Sequence, residues 1–147
     1  MISLPLSGNN EVIKLLPQRM PMLMIDSMLE ADERHAVSNL IIRKNNLFFN
    51  GSEFTVPGII EHIAQTAAAH NGFIALLRNQ PVRLGYIAAV KNLKIFKLPV
   101  AGEKLRTEIE VITEVMGFVV VEGRVRTGHS EIASCEMNVF ISKDNGK

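Results

Sequence analysis

Two periodicities divide this chain. From Gly85 onward, apolar and polar residues alternate through GYIAAVKNLKIFK (85–97), KLRTEIEVITEV (104–115), GFVVVEGRVRTG (117–128) and SEIASCEMNVFIS (130–142). A period of two belongs to strands with one wet and one buried face. Met116-Gly117 and Gly128-His129 suit the tight turns between them. Before Pro81 the pattern differs. Residues 59–78 are rich in helix formers and contain no proline, and Pro57 stands where a first helical turn tolerates a missing N–H. This predicts a helix roughly 30 Å long at 1.5 Å per residue. MLMIDSMLE (22–30) and HAVSNLIIR (35–43) read as strands around the polar turn 31–34, with a loop over 44–56. Residues 1–22 are irregular and punctuated by Pro5, Pro17 and Pro21, with a short helical turn from Glu11 to Leu16. Two strands, a long helix and four strands predict an α+β fold, a curved antiparallel sheet wrapped around one helix. Dimerisation is one way such a sheet protects an edge.

Composition narrows the classes. With 147 residues, 47% of them hydrophobic, the chain suits a single domain spanning 1–147 with a real core. Basic and acidic residues nearly cancel, at 16 against 15, which leaves no electrostatic footprint of a nucleic-acid binder. One cysteine, Cys135, excludes an intrachain disulfide framework and fits a reducing compartment. Its spacing from the four histidines matches no metal-ligand pattern. No basic segment followed by an apolar run marks the N-terminus, and apolar stretches fall short of the roughly 20 residues a bilayer span needs. A cytoplasmic protein without membrane or nucleic-acid partners is the expectation.

The candidate chemistry lies in LFFNGSEFTVPGIIEHIAQTAAAHNG (47–72). Glu61 is one acid on an otherwise apolar helical face, where a carboxylate costs free energy unless it is paired or used. Its plainer reading is the acid that helix N-termini favour. Gln65 follows one turn later on the same face, as a positioning or packing residue. Ala64, Ala67, Ala68 and Ala69 let the helix approach the sheet closely. His62 lies about 100° around the helix from Glu61, and His70 roughly 13 Å further along on the opposite side, so neither shares a site with it. His62 is expected at the surface or an interface, and Met20, Met22, Met24 and Met28 in adaptable core packing. Arg19 reads as structural. Ser52 has no base within obvious reach, which disfavours a nucleophilic serine.

Four segments follow one another in a known order: LLPQRMPMLMIDSMLE (15–30), FFNG (48–51), PGIIEHIAQ (57–65) and YIAAVKNLKIFKLPVAGEKL (86–105). They resemble the LPHRxPxLLxDxV opening, the FFxG loop, the PG…ExxAQ helix start and the aidxxxFxxPVxPGDxL stretch of hot-dog-fold 3-hydroxyacyl-acyl-carrier-protein dehydratases. The ExxAQT helix is similar to that of dehydratase-like proteins of aryl-polyene pigment pathways. The resemblance implies a hot-dog fold, a dimer joining two sheets, and an acyl tunnel along their interface. It also implies an elimination in which a histidine after FFxG removes the α-proton and a helix carboxylate protonates the leaving hydroxyl, the two coming from different protomers. Backbone N–H groups at the helix N-terminus would hold the thioester oxygen.

Here the carboxylate is kept as Glu61, while Ser52 stands where the family has the histidine. Two residues separate Pro57-Gly58 from Glu61 where the family has four; the register is set by Ala64-Gln65, since a loop absorbs a deletion more easily than a helix interior. By this resemblance Glu61 and Ser52 occupy the catalytic positions, and Gly51, Phe54, Pro57, Gly58 and Gln65 the substrate-binding ones. No metal or organic cofactor is implied. The substrate would be an acyl thioester on acyl-carrier protein or coenzyme A, handled by a homodimer or by a heterodimer with a related dehydratase. Three functions stay open: a 3-hydroxyacyl-thioester dehydratase with an unconventional base, a non-catalytic thioester-binding subunit beside an active homologue, and a hot-dog thioesterase.

Overall fold

The computed structural model describes residues 4–142. In chain order it contains β1 (Leu6–Ser7), α1 (Asn9–Val12), β2 (Ser27–Ala31), β3 (His35–Ile41), α2 (Val56–Leu77), β4 (Gly85–Ile95), β5 (Lys104–Val115), β6 (Phe118–Thr127) and β7 (Ser130–Ile141). The strands form one sheet in the order β1-β2-β3-β5-β6-β7-β4, each neighbouring pair antiparallel. Helix α2 lies against it, giving the hot-dog architecture expected from the sequence.

The alternation read in the C-terminal half is the buried–exposed alternation of the sheet. In β5, Leu105, Thr107, Ile109 and Val111 are buried while Lys104, Arg106, Glu108 and Glu110 are exposed. Val121 and Val125 of β6 and Cys135, Met137 and Val139 of β7 join the same core. The turns fall as expected: Met116 and Gly117 both take positive φ between β5 and β6, and Gly128 does so between β6 and β7. Close approach of helix and sheet is set from the sheet side too. A Cβ on Gly123 would lie 2.6 Å from Ile63 Cγ2, so a glycine in the middle of β6 is what admits the Ile63 side chain.

Four local expectations are corrected. The strand read over 22–30 is regular only from Ser27, because Met22–Met24 bond to α2 side chains instead of to a neighbouring strand. The short N-terminal helix covers Asn9–Val12 instead of Glu11 to Leu16, and the two-residue β1 ahead of it carries no period to read. Met24 and Met28 are core residues, but Met20 is 62% exposed and Met22 is 38% exposed. Their segment runs over the surface before β2 begins. Finally α2 starts at Val56, so Glu61 is its sixth residue and lies beyond the first turn. The helix-terminus explanation for that acid therefore fails.

Candidate functional site

Helix α2 carries two polar stripes with different tasks. Spacings of three and four residues put side chains on one face. His62, Thr66 and His70 share one such face, all are buried, and their partners lie in β3, in β5 and in the segments on either side of β2. His62 Nδ1 donates to the Met24 carbonyl at 2.7 Å, which makes Nε2 the acceptor for the Thr107 hydroxyl at 2.7 Å. Thr66 Oγ1 donates to the His62 carbonyl and lies 2.7 Å from Ser38 Oγ. His70 Nε2 donates to the Asp32 carbonyl in the β2–β3 turn at 2.6 Å. Burial pushes His62 down to about 4 and lowers His70 as well, so both imidazoles are neutral at pH 7. The surface or interface position expected for His62 is thus corrected: a residue with two ring nitrogens satisfied inside the fold is held there as a clamp.

The second stripe is Glu61, Ala64, Gln65 and Ala68. Glu61 is half-buried, and Gln65 Nε2 donates to its Oε2 at 2.9 Å. The same Nε2 donates to the Met22 carbonyl at 2.7 Å, while Gln65 Oε1 accepts from the Met24 N–H at 2.6 Å. The Gln65 carboxamide therefore has a fixed orientation and holds one oxygen of Glu61, a residue that lines a pocket of about 210 Å³. The pocket is lined by Gln18, Glu61, Ala64, Ala68, Val139 and the start of β4 from Gly85 to Ile87. The two alanines keep the helix side of that pocket open.

The FFNGSEF segment forms a tight turn away from this pocket within one chain. Asn50 Oδ1 accepts from the N–H groups of Ser52 and Glu53, both at 2.9 Å, and Gly51 takes a φ of 98° that favours glycine. Ser52 and Gly51 are exposed at its tip. Phe54 is fully buried against Gly58, where an added Cβ would lie 2.6 Å from both Phe48 and Phe54; this packing accounts for the glycine after Pro57. Pro57 is exposed in the first turn of α2. The Thr55 hydroxyl donates to the Phe48 carbonyl at 2.7 Å instead of capping the helix, so the first-turn N–H groups have no side-chain cap. Of the residues assigned from the sequence, Gln65 is the one brought to Glu61 in a single chain.

Among the described residues, no histidine lines the Glu61 pocket, and no group of three or more His, Cys, Asp or Glu is placed to hold a metal ion. Cys135 is buried and its thiol pushed up to about 11, which makes it an inert core residue. Sequence reasoning missed Gln18 as a wall of the pocket and Tyr86 and Ile87 as its rim. The only signal was the alignment of Gln18 within the LPHRxP-like opening, which says nothing of where its side chain goes.

An antiparallel sheet cradling one long helix is the hot-dog architecture. The comparisons agree. The chain belongs to the ApeP-like dehydratase family, whose model matches residues 10–147. It is 35% identical over 143 residues to the 3-hydroxyacyl-[acyl-carrier-protein] dehydratase FabZ of Bacillus cereus, covering 91% of this chain and 94% of that one. It is 32% identical over 140 residues to FabZ of Clostridium botulinum, covering 90% and 93%. The dehydratase heterocomplex ApeI:P from Xenorhabdus doucetiae contains a chain of the same fold, at a TM-score of 0.81 and 15% identity, with 97% of this chain and 94% of that one covered.

Proposed function

We propose that this chain, folded as a single domain, provides the acid half of a 3-hydroxyacyl-thioester dehydratase in fatty-acid or polyene biosynthesis. Its substrate is carried on acyl-carrier protein or coenzyme A in the cytoplasm. The observation behind this reading is the anchored carboxylate. Gln65 holds Glu61 by Oε2, and Glu61 lines the pocket in which a ligand would sit. In the forward step a base removes the proton α to the thioester carbonyl, the electron pair forms the Cα–Cβ double bond, and the 3-hydroxyl leaves as water with a proton from Glu61. Proton transfer alone balances the reaction, so no cofactor is invoked. The first turn of α2, with no side-chain cap, supplies N–H donors toward the thioester oxygen.

The base is supplied across a subunit interface. β4 is an 11-residue edge strand whose register shifts between Ile87 and Ala89 and again between Lys91 and Lys94. Its far half carries the charges of Lys91 and Lys94, which discourage pairing, while its near half, Tyr86–Val90, is apolar. That near half is also the rim of the Glu61 pocket, so pairing there completes the pocket with a second protomer. In a homodimer the partner's equivalent of Ser52 stands in the base position and leaves water to take the proton. In a heterodimer a related dehydratase brings its histidine. The missing histidine favours the heterodimer, and the relative solved as a heterocomplex supports it.

The test is to follow ultraviolet absorbance and free thiol while the protein is incubated with a 3-hydroxyacyl thioester and, separately, with the matching enoyl thioester. Absorbance change without thiol release is expected, weak for the chain alone and strong once a histidine-bearing homologue is added. Thiol release would make the protein a thioesterase and overturn the proposal. Silence with and without the homologue would reduce it to a binding subunit.

A further inference from the structure

Gln18, a wall residue of the pocket beside Glu61, carries a polar atom that the fold leaves unsatisfied. Gln18 Oε1 is buried with no hydrogen-bond partner among the described residues. Gln65 shows the contrast, since its carboxamide makes three hydrogen bonds. A glutamine kept for structure is normally bonded in that way, because an orphaned buried amide oxygen is destabilising. The backbone under Gln18 is firmly placed. Leu15 and Leu16 are core residues, and Arg19 Nη1 donates to the carbonyls of Leu16 at 2.6 Å and Gln18 at 2.9 Å. The side chain is therefore a polar arm on a rigid turn.

The rest of the pocket is short of hydrogen-bonding side chains. Ala64, Ala68, Ile87 and Val139 are apolar, Gly85 has no side chain, and the Tyr86 phenol belongs to a half-exposed rim residue. Glu61 and Gln18 are the polar side chains of its walls. A carboxamide exchanges its oxygen and nitrogen by a half-turn about the last torsion, which is broad and nearly two-fold. Gln18 thus presents an acceptor in one rotamer and a donor in the other.

We propose that Gln18 is a specificity-determining residue that reads the 3-hydroxyl of the acyl chain, across the pocket from the Glu61 carboxyl. A hydroxyl both donates and accepts, so it satisfies either rotamer. The methylene of a saturated acyl chain satisfies neither and leaves the carboxamide unpaired. Sites built around one such hydrogen bond reject the analogue that lacks it. This assignment rests on the thioester reading above and adds to it the group by which substrate is told from its saturated counterpart.

Binding separates the two ideas without relying on turnover. Stable amide analogues of 3-hydroxyhexanoyl-pantetheine and hexanoyl-pantetheine would be titrated calorimetrically into the full-length protein, into Gln18→Leu and into Gln18→His. The wild type is expected to bind the hydroxy analogue about tenfold or more tightly than the saturated one. Gln18→Leu should bind both with the wild-type affinity for the saturated analogue, and Gln18→His, which retains a donor and an acceptor, should keep part of the preference. Circular dichroism and sedimentation accompany each variant; if Gln18→Leu does not fold, Gln18→Met takes its place. Equal binding of both analogues by the wild type would overturn the role of Gln18 while leaving the thioester reading intact. So would a preference that survives in Gln18→Leu, or a change confined to association state. Binding of neither analogue would overturn the thioester reading itself.

Discussion

Gln65 and Glu61 sit one helical turn apart and are expected to respond to mutation in opposite ways. Gln65 satisfies the buried Met24 N–H and the part-buried Met22 carbonyl, so Gln65→Leu leaves both without partners. At about 1–3 kcal/mol for the buried Met24 N–H and less for the part-buried Met22 carbonyl, the loss should reach roughly 1–4 kcal/mol in chemical denaturation. Glu61→Gln removes no such bond. It should preserve the melting temperature to within a few degrees and abolish the absorbance change of elimination; full retained activity would remove Glu61 from the mechanism. Activity lost together with stability belongs to Gln65, and activity lost alone belongs to Glu61.

Helix α2 works as an element with one clamped face and one open face. The clamp gives folding a pH dependence with a definite sign. His62 has a folded pKa of about 4 against an ordinary value of 6.5, so between these values the unfolded chain binds more protons. Stability is at its full value above about pH 6.5 and declines as the pH falls toward 4, by an amount on the order of 3 kcal/mol, and His70 adds in the same direction. His62→Asn should flatten this slope in urea unfolding measured from pH 7 to pH 4; an unchanged slope would show that other groups govern it. The contact between helix and sheet makes a second prediction. Gly123→Ala forces a Cβ against Ile63 and should destabilise by about 1–3 kcal/mol. In the double variant with Ile63→Ala the two costs should sum to less than additive, because the clash is gone.

For the whole molecule, the decisive quantity is what meets the near half of β4. If a second copy pairs there and brings its own 50–53 turn toward Glu61, Ser52→His restores a base to the site. The variant should raise elimination at least tenfold over the parent chain, and no gain would detach Ser52 from the base position. Among the described residues no helix is long and apolar enough to cross a bilayer.

A curved antiparallel sheet around one long helix was legible in the sequence because period two and period 3.6 survive wherever one face is buried and the other wet. The family motifs made it a hot-dog fold. Glu61 was legible as well, since a lone acid on an apolar stripe is a local pattern. The segment from Met22 to Asp26 was not. Its apolar residues look like a strand, yet their backbone partners are His62 and Gln65, about 40 residues away. His62 was misread for the same reason, as burial of a histidine depends on whether the Met24 carbonyl and Thr107 hydroxyl are there to receive it. Sequence by itself determined the long helix, the four C-terminal strands, the family motifs and the absence of a histidine after FFNG. Tertiary structure alone decided which face of the helix is clamped, that Gln65 anchors Glu61, and that Gln18 shares its pocket. Periodicity is written locally, whereas hydrogen-bond partners and cavities are made by residues that only folding brings together.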